Sequence, residues 1–313
     1  MALDPIYEPI QLGSHIVPGI WRYMLPEDVF YFRVDPEKLS SCFDCPQVKA
    51  HGFHPSVRCC TYIPRVPNFL LGMALQDPAT SGLVKHFIEA GFAIPEGSQF
   101  SPEQLSRSLQ QLTTTDRSQP LIVCPFLDQA SKRCQIYAYR SGVCSTFFCI
   151  HDQGEEGAHF WEQLQDLVTQ VETALSQWAL QEIGFDLEAY FERFNALGSQ
   201  LESGSDPHSF AWSVEARKHL FREWFGREQE LYTSCADLII RNKQDLYSLA
   251  GQQKLQQTKG YDEALRQSLA GKFPAHQIAE SLPEGDPVSI KNIWYGVQLA
   301  HRNLQLSRSQ SPP

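Results

Sequence analysis

From Trp161 the apolar positions fall at Trp161, Leu164, Val168, Val171, Leu175 and Trp178, in steps of three and four. This is the spacing of one face of an α-helix, and Phe160, Leu167 and Ala174 widen it. The seam is shorter than three heptads, so it predicts a helix of the protein's own bundle rather than a dimeric coiled coil. An aromatic-rich helix is predicted over residues 185–197, and further helices over 213–225, 228–250, 262–270 and 289–306. Upstream the texture is shorter and mixed. Residues 29–34 (VFYFRV) read as a strand, as do 121–123 and 134–139. Residues 80–90 read as a helix with Leu83, Val84, Phe87 and Ile88 on one face and Gly91 as its stop. Ser101-Pro102-Glu103-Gln104 reads as a helix start, with Leu105, Leu109 and Leu112 sharing a face and residues 113–119 as a loop.

Two polar stretches punctuate this pattern: 152–157 (DQGEEG), predicted as a hinge, and 198–209, predicted as a linker. The expected fold class is α+β, mainly helical. A cysteine-rich, metal-stabilised module with short strands is expected over residues 1–155, a helical region over 156–306, and a disordered tail over 307–313. There is no internal repeat.

Composition narrows the function classes. The 313 residues carry a formal charge of −10, which disfavours sequence-independent nucleic-acid binding because the chain would repel phosphate. No apolar run approaches the ~18 residues that span a bilayer. Met1-Ala2-Leu3-Asp4-Pro5 lacks a basic stretch and apolar core, so a cytoplasmic address is expected. There is no GxGxxG, P-loop, HExxH or GxSxG.

Cysteine is the exception to this ordinary composition. Eight of the nine lie between Cys42 and Cys149, as Cys42-x2-Cys45, Cys59-Cys60, Cys124-x9-Cys134-x9-Cys144-x4-Cys149. A thiol-rich segment without an export signal points to metal before disulfides. In a CxxC turn two sulfurs reach one ion and backbone amides favour the thiolate that the metal requires. In an extended backbone, adjacent Cys59 and Cys60 leave on opposite faces and so serve different ions. Two four-thiolate sites are the simplest division. All-sulfur coordination selects Zn²⁺ or an iron–sulfur cluster. The aromatic residues Phe126, Tyr137, Phe147 and Phe148 read as a water-excluding shell that favours the cluster. His51, His54 and His151 read as outer partners or surface residues, Arg58 and Arg140 as salt-bridging residues, and the ninth thiol, Cys235, as a core residue on a helix with Leu231, Leu238 and Leu249.

The string Cys124-Pro125-Phe126-Leu127-Asp128, Cys134-Gln135-Ile136-Tyr137, Arg140, Cys144 and Phe148-Cys149 resembles the YkgJ-type cysteine-cluster family, the zinc- or iron-chelating CxxCxxCC domain. Cys42-x2-Cys45 and Cys59-Cys60 correspond to its first half, so the resemblance spans residues 40–150. It implies a bound metal centre, usually an iron–sulfur cluster, with Cys42, Cys45, Cys59, Cys60, Cys124, Cys134, Cys144 and Cys149 as ligands. It also makes a protein-modifying role conceivable. This chain departs from the pattern in stretching the compact CxxCxxCC and in carrying Ser141 and Ser145 where the family has proline and a second arginine. The expectation is an iron–sulfur protein with a redox or protein-modifying role, its helical region serving a protein partner or substrate. The alternative is a zinc-stapled adaptor without catalysis.

Overall fold

The computed structural model describes residues 4–13, 15–34, 37, 60, 64–99, 123–131, 133–148, 150–200, 211–257 and 290–310. Strands β1 (Ile10–Leu12) and β2 (His15–Val17) open the chain, followed by a short helix α1 (Trp21–Met24) and a 3-10 turn over Glu27–Tyr31. Next come α2 (Asn68–Gln76), α3 (Ser81–Glu89), β3 (Ala93–Ile94) and β4 (Gly97–Ser98). A 3-10 turn at Tyr137–Tyr139 precedes α4 (Gly142–Thr146) and the long α5 (Gly154–Glu182). The chain continues through α6 (Leu187–Gln200), α7 (Val214–Phe221), α8 (Glu228–Arg241), α9 (Leu246–Gln257) and α10 (Ile290–Gln310). The architecture is mainly helical with two antiparallel hairpins, in the registers Ile10↔Val17 and Ala93↔Ser98.

The chain forms two compact units, neither of them a continuous half of the sequence. Unit 1 comprises Met1–Lys38, Gly142–Trp178 and Ile239–Pro313; unit 2 comprises Leu39–Ser141 and Ala179–Leu238. Residues 155 and 156 therefore fall together inside unit 1.

In unit 1 the predicted seam of α5 is buried: Trp161, Leu164, Val168, Val171 and Leu175 are at most 1% exposed. Helix α10 packs in the same unit through Trp294, which stacks on Phe32 at 5.6 Å, and through Arg308, which donates to the Arg33 carbonyl at 3.2 Å. In unit 2, Phe87 of α3 meets Phe126 at 4.5 Å, and the Tyr232 hydroxyl of α8 donates to the Ile94 carbonyl at 2.8 Å. Just past the end of α5, Gly184 has a φ of +80°, the left-handed conformation that lets the chain turn back. Asp186 then caps α6 by accepting from the Ala189 N–H at 3.0 Å.

Several local expectations are corrected. Residues 29–34 do not form a strand. Pro26 precedes a 3-10 turn that buries Val29 and Phe32, three apart, and leaves Tyr31 exposed. In 134–139 only Cys134 makes a strand-like bridge, to Leu127, before the chain turns at Tyr137. The polar stretch 152–157 is mostly the first turn of α5, where Glu155 and Glu156 lie at its positive end. The helix expected over 228–250 is interrupted at Asn242, which leaves helical geometry. Helix α10 runs on to Gln310, so residues 307–310 are helical rather than part of a tail. The expected elements at 101–112, 121–122 and 262–270 lie outside the described residues. Among the described residues no helix is long and apolar enough to cross a membrane.

Candidate metal centre

Of the eight clustered cysteines, Cys60, Cys124, Cys134 and Cys144 are described; Cys42, Cys45, Cys59 and Cys149, with His51, His54 and Arg58, lie outside the described residues. Unit 2 joins the backbones of Cys60 and Cys124 and carries Cys134 on the same loop, bridged to Leu127. The Cys124 N–H donates to the Cys60 carbonyl at 2.6 Å. Residues 124–135 then double back as a tight loop, in which Leu127 N–H donates to Cys124, Asp128 N–H to Arg133 and Gln135 N–H to Phe126, at 2.8–3.0 Å. The Asp128 carboxylate holds the tip by accepting from the Ser131 N–H at 3.0 Å. Phe126, fully buried against Phe87, anchors the loop to α3. The Tyr139 hydroxyl anchors its exit by donating to Asp77 at 2.9 Å.

The chemistry of these donors suits a thiophilic metal. Cys124 is buried and Cys60 and Cys134 are half-buried. Burial pushes the Cys134 thiol up, while the Ile136 N–H and the Arg140 guanidinium act in the opposite direction and favour the thiolate. An N–H directed at sulfur is the arrangement that supports metal-bound cysteine. Soft sulfur in partly apolar surroundings fits Zn²⁺ or an iron–sulfur centre and not Mg²⁺ or Ca²⁺. Among the described residues no three His, Cys, Asp or Glu side chains are grouped to hold an ion.

Unit 1 holds Cys144 on α4. The start of this helix is fixed by the Gly142 N–H, which donates to the buried Glu172 carboxylate of α5 at 2.9 Å. Downstream, Phe148 packs on Trp161 at 4.6 Å and on His15 at 4.7 Å. The Asp152 N–H donates to the buried Glu37 carboxylate at 2.6 Å. Glu37 also accepts from Trp161 Nε1 at 3.1 Å and lies 3.5 Å from His151 Nδ1, while its own N–H donates to His15 Nε2.

The expected aromatic shell divides. Phe126 is buried and Phe148 is packed between rings, but Tyr137 and Phe147 are 47% and 54% exposed. Arg140 lies over the Tyr137 ring at 3.7 Å. Cys235 is fully buried in α8, as expected of a core residue. Sequence reasoning did not find Glu37 and Glu172. Glu37 sits in a polar stretch that gives no sign of burial, whereas Glu172, four residues after Val168 and three before Leu175, falls on the buried seam of α5, and that spacing is the signal that could have found it. Comparison with protein-family models, with characterised proteins and with solved structures returns no match.

Proposed function

We propose that this chain is a cysteine-ligated metalloprotein that binds iron–sulfur clusters, with two four-thiolate sites supplied by Cys42, Cys45, Cys59, Cys60, Cys124, Cys134, Cys144 and Cys149. The observation that carries the reading is the loop at residues 124–135, which brings Cys124 and Cys134 onto facing arms and hydrogen-bonds the backbone of Cys124 to that of Cys60. The resemblance to the YkgJ-type cysteine-cluster family supports the same ligand set, on the cysteine constellation itself. On this reading the protein works in a reducing compartment such as the cytoplasm. Its activity is redox or protein-modifying, and the helical region offers the surface for a protein partner or substrate.

A second reading, zinc as a structural staple without catalysis, is favoured by one observation: Tyr137 and Phe147 are exposed and do not screen a cluster from water. Purification without air separates the two. The iron–sulfur reading expects brown protein with broad absorption near about 400 nm and acid-labile sulfide. The zinc reading expects colourless protein with about two zinc per chain. Protein that carries neither iron nor zinc overturns both.

A further inference from the structure

The eleven residues 142–152 carry Cys144 and Cys149, and unit 1 fixes both ends of this segment with a buried carboxylate. At one end the Gly142 N–H donates to Glu172 Oε1 at 2.9 Å; at the other the Asp152 N–H donates to Glu37 Oε2 at 2.6 Å. Both glutamates are under 5% exposed. Between these ends the Thr146 hydroxyl reaches Gln165 Oε1 at 3.2 Å and the Phe148 ring lies on Trp161. Trp161, Gln165 and Glu172 are separated by four and seven residues, so one face of α5 meets the segment three times. Trp161 also donates its indole N–H to Glu37, tying the second carboxylate to the same face.

Burying a carboxylate is unfavourable, and an apolar side chain of similar shape fills space at least as well. What a carboxylate adds is a strong, directional acceptor that fixes the position of one backbone N–H. Two such carboxylates on one short segment fix its ends, which a hydrophobic contact does not do. A metal site needs that fixity, because its ligand distances tolerate only about ±0.2 Å. The contact at Asp152 also joins residues 115 apart in the chain, and all eight cysteines of the constellation lie between them.

We infer that Glu37 and Glu172 are positioning residues for the metal centre: they clamp the two ends of the segment that carries Cys144 and Cys149, so that metal is held in place. This inference rests on the proposed metal-binding reading. It applies to the rate at which metal is lost as well as to the amount bound.

The test follows release of metal from the full chain, purified without air, into excess EDTA well below the melting temperature. Glu37→Ala and Glu172→Ala release metal at least about tenfold faster than wild type, the scale expected when outer partners of a metal site are removed. Glu172→Gln keeps a carbonyl acceptor for Gly142 and releases at close to the wild-type rate. Glu37→Gln can accept from only one of Asp152 and Trp161, and releases at an intermediate rate. Val297→Ala, in the buried face of α10, controls for general destabilisation of the same unit and releases as wild type does. Should Glu37→Ala fail to fold, Glu172→Ala and Glu37→Gln carry the comparison. Alanine variants that release no faster than Val297→Ala overturn the clamp while leaving the metal reading intact. Wild-type chain without metal overturns the metal reading and the clamp together.

Discussion

The backbone of Gly72 in α2 lies directly against the Tyr232 carbonyl of α8, so closely that a Cβ on Gly72 would overlap that oxygen and also meet the Ala236 side chain at 2.8 Å. Two helices approach this closely only where one of them carries no side chain. The obstacle to substitution is backbone, which cannot rotate away. Gly72→Ala is therefore expected to destabilise the protein by about 3 kcal/mol. A shift in the denaturant midpoint checks it; an unshifted midpoint would show that the helices slide apart without cost.

A buried network around Glu96 supplies a second expectation. The Tyr190 hydroxyl donates to Glu96 Oε2 at 3.2 Å, and Arg65 Nη2 pairs with Oε1 at 3.2 Å. Burial, reinforced by Glu96, raises the Tyr190 phenol well above its usual value, so it stays a donor across the working pH range. Tyr190→Phe removes that donor from a buried carboxylate and is expected to cost about 1–3 kcal/mol. In a double-mutant cycle with Glu96→Gln the two losses should be less than additive, because both act on one hydrogen bond.

The ninth cysteine should behave unlike the other eight. Cys235 is fully buried in α8, and burial alone pushes its thiol far up. Cys235→Ala is expected to leave metal content unchanged and lower stability by about 1 kcal/mol, the effect of removing one buried atom. Cys134→Ser should instead lower the metal content of the purified chain. Equal metal contents in the two variants would remove Cys134 from the ligand set.

Stability toward acid should depend on His301. Its imidazole stacks on Phe32 at 4.3 Å and lies 6.0 Å from Phe160, with Arg308 on the same helix. Burial, and then the positive charge of Arg308, lower its pKa from the ordinary 6.5. A lowered value in the folded chain means that the unfolded chain takes up the proton first. The associated stability is fully present above pH 6.5 and is lost as the pH falls through the lowered folded value. Replacing His301 by Gln should flatten the dependence of the melting temperature on pH in that window. An identical dependence in wild type and variant would show that the helix tolerates the charge.

Periodicity carried much of the helical half of the protein. The seam from Trp161 to Trp178, the helix that ends before Gly91 and the core position of Cys235 each depend on a local repeat, which neighbouring residues suffice to express. The failures have separate causes. VFYFRV has the composition of a strand, yet among the described residues no strand pairs with it, and Pro26 starts a tight turn in its place. The break at Asn242 was hidden because apolar spacing carries across it.

The sequence by itself determined the mainly helical class, the buried face of α5 and the eight thiols as candidate ligands, because residue type and local spacing express each of these. Only the tertiary structure decided that the compact units are built from discontinuous pieces, that Cys60 and Cys124 meet through their backbones, and that Glu37 and Glu172 are buried acceptors. Those features depend on contacts between residues far apart in the chain, such as the 124 positions separating Glu37 from Trp161 and the 275 separating Arg33 from Arg308. No local pattern encodes which distant backbone N–H a carboxylate will meet, because that is set by how the helices pack.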